Sequence, residues 1–517
     1  MRRLFAACLA VTCLAGAGCA PLQPYRTEPP SAAYDPARHD CDATRDDPND
    51  ASDIGGKVDA RCATRIREDA SNYRLYFTEF DDQGWAYPGD TPYGAAGQQI
   101  GIFVDELKRS LAQSDERVSV VVFVHGWKHS AHSDDSNVRR FRSLLDSLDL
   151  VERTTGCGRH VVGVYVGWRG SSTTLGGPAA NLTFYSRKSA AERVALGDVR
   201  LLFSHLRALQ DMANRPWTER VLRAQVAAAA PPAQCEKRMR LSIAGHSFGG
   251  LIVYTSLAQA LIRDVVELRA AEDEAARKSG ARPPMSREGD LVVVVNPAIE
   301  ATRYEPLHHA VEERELPHYH GPLFVAVTSS DDHATRIAFP LGRALSTALE
   351  RYPDAADGRE KRANLNTLGQ DDDFLSHRLS AVAYGSAART AGSVRTDAVC
   401  AGWNRPGAGF KERLDIEAGE SAGFLKRLAE QGYDASGLFP RDFCSVEVLH
   451  LATRAGARPA AANSPVWNIQ TSSPIVNDHN DFDNQRLIAF FRQLYREAEF
   501  REEQVNRRAR ESARSEP

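Results

Sequence analysis

Apolar positions recur along this chain in two alternating patterns. Nearly unbroken runs of Val, Ile and Leu occur in RVSVVVFVHG (117–126), HVVGVYVGWRG (160–170), MRLSIAGHS (239–247), DLVVVVNPA (290–298), GPLFVAVTSSDD (321–332) and VWNIQTSS (466–473). Short runs of this kind predict strands buried on both faces. YRLYFTEF (73–80) reads as a further strand. Between them lie stretches with apolar residues at helical spacing: 97–114, the stretch AAERVALGDVRLLFSHLRALQDMA from Ala190, the segment after Ser247, and 484–499. Strand and helix alternate, which predicts an α/β fold: an open, mostly parallel sheet with helices on both faces. In such sheets ligands meet the C-terminal ends of the strands, so the residues just after each strand are the candidates for chemistry.

Five segments follow from this pattern. Residues 1–19 carry Arg2 and Arg3, then an apolar stretch, then small residues up to Cys19, the layout of an export signal. Residues 20–70 are rich in Pro, Asp, Ala and Arg without an apolar period, and read as a disordered tether. Residues 71–340 form the core. Residues 341–465 interrupt the alternation with a long polar stretch and read as an inserted subdomain, a lid or cap. That insertion shows no long apolar stripe of the kind a lipid-binding lid needs, which favours small esters over lipids. Residues 466–517 return to the core and end in a tail.

Composition narrows the function classes. The 517 residues are 42% hydrophobic and 26% charged with a formal net charge of -4, so nothing marks a nucleic-acid partner, which requires a concentrated basic face. Past Cys19 lie Cys41, Cys62, Cys157, Cys235, Cys400 and Cys444, an even number that permits disulfides in an exported chain. The most local pairing is Cys41 with Cys62, Cys157 with Cys235, and Cys400 with Cys444. Cys157 and Cys235 each precede a predicted parallel strand, which puts both at one end of the sheet. The cysteines form no C-x-x-C, and HGWKHSAHSDDS (125–136) fits no zinc-ligand spacing, so no metal and no cofactor is expected.

Three strand ends carry side chains that make chemical sense together. The first is Ser247 in GHSFGG, between a strand and an amphipathic helix. A serine becomes a useful nucleophile only when a base takes its proton and its geometry is enforced. A sharp strand-to-helix turn does the second and demands small neighbours, here Gly245 and Gly249, with Gly250 easing the helix onto the sheet. The second is VVVFVHGW, where Gly126 lets the backbone approach; the N–H groups of Trp127 and Phe248 would receive the developing oxyanion. His125 reads as a packing histidine. Trp127 and Trp168 read equally as an aromatic rim or as core. The third is an acid and a base: Asp331 and Asp332 end one strand, and His479 follows the last. The order Ser, Asp, His suits this topology, and from the residues alone Asp331, Asp332 and, less favourably, Asp478 all stand as the acid.

These residues resemble the α/β-hydrolase superfamily over about residues 70–340 and 466–500. Within it, FTEFDDQGW, VHGWKHSAHSDDSNVRRF, YVGWRG, GHSFGG, DDHATRIAFP and DHNDF are similar to a group of bacterial esterases or lipases. The resemblance implies a serine hydrolase acting on a small-molecule or lipid ester, with Asp332 as the acid. The stretch AGAGCAP likewise resembles a bacterial lipoprotein processing site with Cys19 as the lipidated residue, which implies attachment to the cell envelope. Ordinary cleavage after Ala17 is the other reading. The alternative functions are a lipase, phospholipase or peptidase with the same triad, and a non-catalytic envelope protein that keeps the fold for binding, which would be expected to have lost a triad member or an elbow glycine.

Overall fold

A computed structural model of the chain describes residues 23–30, 40–44, 56–87, 98–154, 157–171, 183–227, 229, 232, 234–278, 289–312, 321–352, 358–383, 441–443, 447–453, 464–484 and 486–496. Its strands are β1 (Arg67–Asp69), β2 (Tyr73–Phe80), β3 (Val118–Val124), β4 (His160–Trp168), β5 (Met239–His246), β6 (Leu291–Val295), β7 (Phe324–Ser329), β8 (His377–Ala383), β9 (Arg441–Phe443), β10 (Glu447–Thr453) and β11 (Val466–Thr471). They form one sheet in the order β1-β2-β4-β3-β5-β6-β7-β11-β8-β10-β9. From β2 to β8 all neighbours run parallel, and antiparallel pairs close both edges. The fold is α/β with a mostly parallel sheet.

The eight named helices are α1 (Gln98–Gln113), α2 (Ser136–Thr154), α3 (Phe184–Leu196), α4 (Val199–Val226), α5 (Phe248–Lys278), α6 (Ala301–Glu312), α7 (Phe339–Ser346) and α8 (Arg359–Leu365). A last helix spans 486–496. The strand runs are apolar throughout, yet their pleat still sorts side chains by face. Val120, Val122 and Val124 of β3 join one core with Phe103, Leu202, Leu251 and Leu307 of the helices. Val121 and Phe123 point the other way, onto Val138, Phe141 and Leu145 of α2. Residues Leu487, Phe490 and Leu494 of the last helix cover β6, β7 and β11 on that second face. Both faces are therefore filled, as unbroken apolar strands require.

The helix expected from Ala190 is two helices. α3 already starts at Phe184 and ends at Leu196, and the break falls at Gly197, where a β-carbon would collide with the Gly84 backbone. Asp198 holds the same junction: its N–H donates to Gly84 O at 2.8 Å and its carboxylate accepts from Ala86 N at 2.9 Å. In the expected insertion, the described strands β8 to β10 extend the sheet beyond β11, and Gln370 donates to Ser329 O at the end of β7 at 2.8 Å. Disulfides join Cys41 to Cys62 and Cys157 to Cys235, with Cα separations of 5.9 and 4.7 Å. Cys19, Cys400 and Cys444 lie outside the described residues.

Within the expected tether, two described parts are fixed to the fold. β1 pairs with β2, and Arg26 is buried. Its guanidinium lies 3.5 Å above the Phe77 ring and donates to Glu68 at 2.9 Å, to Ala131 O at 2.9 Å and to Cys62 O at 3.0 Å. Glu68 also accepts two bonds from Arg142, at 2.8 and 2.9 Å. Burial opposes the Glu68 charge, but Arg142 and Arg26 together outweigh it and hold its pKa below the usual carboxylate value. The period-based reading missed this because the segment is fastened by ions and backbone bonds instead of an apolar stripe. Glu68→Ala leaves two guanidinium groups buried without their counter-ion. We expect it to lower unfolding free energy by about 3–5 kcal/mol in urea titration; a loss below about 1 kcal/mol would show that the cluster does not hold the segment.

Candidate active site

β5 ends in Gly245 and His246, and α5 begins at Phe248, so a single residue makes the turn. That residue, Ser247, has φ 57°, in the left-handed region that side chains other than glycine enter at a cost of about 1–3 kcal/mol. The turn is held by Ser247 N–H donating to Val295 O at 3.0 Å and Ala298 N–H donating to Ser247 O at 3.2 Å. Its neighbours have no room for a side chain. A β-carbon on Gly245 would sit 2.6 Å from Gly249 O, and one on Gly249 would collide with Val124 O. One on Gly250 would come within 2.9 Å of Pro297. The glycines predicted for this turn are all needed.

The turn aims Ser247 at His479, whose Nε2 is 2.8 Å from Ser247 Oγ. On the other side of the ring, Nδ1 is 2.8 Å from Asp332 Oδ2. Asp332 is buried, and its carboxylate also accepts from Ala334 N at 2.8 Å and Thr335 Oγ1 at 2.7 Å. Burial alone would raise its pKa. The hydrogen bond and charge of His479, with the Thr335 bonds, more than offset it and keep the group below the usual aspartate value. An ionised acceptor at Nδ1 places the ring proton there and leaves Nε2 to accept from the serine hydroxyl. Asp331 points elsewhere and accepts from Ser473 N at 2.9 Å. The Asp478 carboxylate accepts from Asn480 N at 2.8 Å, within its own turn. Among the candidate acids, Asp332 is the one that meets the ring.

The loop after β3 closes the opposite wall. A β-carbon on Gly126 would lie 3.0 Å from Ser247 Cβ, so the chain passes directly against the serine. The amides of Trp127 and Phe248 donate to no backbone carbonyl or side chain among the described residues. Trp127 is half-buried with its ring edge-on to Phe184 at 5.2 Å, whereas Trp168 is core, stacked on His125 at 5.6 Å. His125 is buried and bonds Gly126 O at 2.8 Å and Trp168 N at 3.0 Å, a packing role. His129 and Asp135 pair at 3.0 Å, and Asp135 also accepts from Ser130 N and Asn137 N, which shapes the loop. The group closest to a metal-ligand cluster among the described residues, Asp40 with Cys41 and Cys62, has both sulfurs committed to a disulfide.

Two residues that sequence reasoning missed position the histidine. Asn296 ends β6 with φ 43°, donates from Nδ2 to the carbonyls of Asp478 and His479 at 3.2 and 3.1 Å, and accepts from Ser329 N at 2.9 Å. His246 is buried with Nε2 2.7 Å from His479 O and its ring 4.6 Å from that of Phe482. Ser329 Oγ adds a bond to Val476 O at 2.7 Å. The one available signal was position: Asn296 and Ser329 also end strands. Comparison of the chain with family models, with characterised proteins and with solved structures returns no match.

Burial pushes the pKa of His246 well below that of a free histidine, and that of His125 down to about 4. Both stay neutral when folded and protonate on unfolding, so the unfolded state binds more protons below about pH 6.5. Stability should therefore fall with decreasing pH from about 6.5 towards 4.5, by about 1.4 kcal/mol per pH unit for each group. His246→Gln should remove about one proton from that slope in urea melts at graded pH; an unchanged slope would place the pH sensitivity elsewhere.

Proposed function

We propose that the protein is a serine hydrolase of the α/β-hydrolase type that cleaves carboxylic esters through an acyl-enzyme on Ser247. One observation carries the reading: the continuous hydrogen-bonded chain from Ser247 Oγ through His479 to the buried, ionised Asp332. In the first step Ser247 Oγ attacks the ester carbonyl carbon while its proton passes to His479 Nε2. The carbonyl oxygen takes up negative charge, and we assign the amides of Trp127 and Phe248 as its donors. Collapse of the tetrahedral intermediate breaks the ester C–O bond, and the alcohol leaves with the proton from His479. Water then attacks the acyl group, gives one proton to His479, and releases the acid; the proton returns to Ser247. Asp332 stabilises the imidazolium formed in each half-reaction and keeps its own charge throughout. The reaction needs no cofactor.

The leader at residues 1–19 supports export to the cell envelope, with a lipid on Cys19 as the anchor. The two disulfides suit an oxidising compartment. Nucleic acid has no place in this reading. Steady-state hydrolysis of a chromogenic short-chain ester tests the proposal. Ser247→Ala and His479→Ala should each lower kcat by about 10⁴-fold or more, Asp332→Ala by about 10³- to 10⁴-fold, and Asp331→Ala by less than about fivefold. Equal losses at the two aspartates would contradict the assignment of the acid. Undiminished turnover in Ser247→Ala would contradict the proposal itself.

A further inference from the structure

The segment after Asp332 presents an apolar stripe to the outside. Ile337, Leu341, Leu345 and Leu349 recur every fourth residue and are 48%, 64%, 80% and 97% exposed. The opposite side of α7 is fixed to the protein. Phe339 meets the Phe184 ring, Gly342 leaves room for the Tyr185 hydroxyl, and Arg343 donates to Asn364 at 2.7 Å. Leu341 and Leu345 are thus held outward by the packing of α7, with Ile337 in the turn before it and Leu349 in the turn after it. Exposed Arg336 and Arg351 flank the stripe, with exposed Glu350 beside Leu349. Leu341, Leu345 and Leu349 lie within the insertion, at its very start, where the sequence pattern predicts no long apolar stripe.

A second, separate observation places the N-terminal segment at the same end of the sheet. Tyr25 N donates to Glu79 near the end of β2, and the Tyr25 ring lies edge-on to His132, in the loop after β3. Arg26 is locked beneath it. Residues 20–24 alone separate Tyr25 from Cys19, a span of at most about 20 Å. Because β2, β3 and β7 run parallel, the Tyr25 site and the helix after β7 lie at the same end of the sheet, the end that carries Ser247. A lipid on Cys19 would hold that end to the membrane, and the stripe with its flanking arginines has the composition of an interfacial helix face.

We infer that the partner of this stripe is a lipid bilayer, so that the mouth of the site faces the membrane and draws its ester from the lipid phase. The substrate half of this inference rests on the hydrolase reading, and the docking half on the anchor proposed at Cys19. The test is flotation of the processed chain that begins at Ala20, which carries neither the apolar leader nor a lipid, with vesicles of phosphatidylethanolamine and phosphatidylglycerol. The chain should float with the vesicles, and Leu341→Asp with Leu345→Asp should reduce the bound fraction by about tenfold or more. Melting temperature without vesicles should be unchanged, since both leucines already face solvent. Equal flotation of the two proteins would overturn the inference. So would a dimer in light scattering that the double variant dissociates, which would make a second copy the partner. A marked loss of melting temperature would show that the leucines are part of the fold's own packing and would overturn it too. Hydrolysis of the soluble ester by the same chain from Ala20 separates the two readings. Flotation without hydrolysis leaves the docking surface and removes the enzyme; hydrolysis without flotation does the reverse.

Discussion

The site depends on how closely the start of α5 can approach β3 and β5. Ser247 stands in a left-handed conformation at the junction, and Gly249 is pressed against the Val124 carbonyl. The strain is of order 1–3 kcal/mol, and the surrounding backbone bonds to Val295 and from Ala298 sustain it. Any β-carbon at Gly245 or Gly249 would push helix and strand apart and turn the hydroxyl away from His479. The parallel sheet matters because it brings the ends of β3, β5, β6 and β7 to one edge, where a side chain or amide from each can meet.

Positioning of the histidine is the second half of the same construction. His479 lies in a loop, and a loop alone would not keep an imidazole between two partners at 2.8 Å. Asn296, His246 and Ser329 tie the carbonyls of 476, 478 and 479 to the ends of three neighbouring strands. The cost is the burial of polar side chains, one of them a histidine that cannot charge in place. Part of the acid sensitivity of the fold follows from the way the loop is held.

Much of this was legible because the physics is local. Continuous apolar runs marked the central strands, and the glycines around Ser247 marked the turn, since both signals lie within about ten residues of sequence. The choice between Asp331 and Asp332 was not legible from the residues. The two are adjacent, and what separates them is that one carboxylate turns inward to Thr335 and His479 while the other turns out to Ser473. Asn296 and His246 were hidden for another reason: their partners are backbone carbonyls at 478 and 479, which no side-chain pattern announces. The docking of Arg26 was hidden likewise, because ion pairs with Glu68 and bonds to loop carbonyls carry no period. The edge strands β8 to β10 were lost in a polar stretch that reads as irregular.

The central claim is that Ser247 Oγ is activated by His479. Labelling of the purified protein with a fluorophosphonate, followed by peptide mass spectrometry, tests it without any assumption about the substrate. The account predicts a stoichiometric adduct on Ser247, formed slowly or not at all in His479→Ala. A folded protein that takes up no label, or takes it up at a serine other than Ser247, would contradict it.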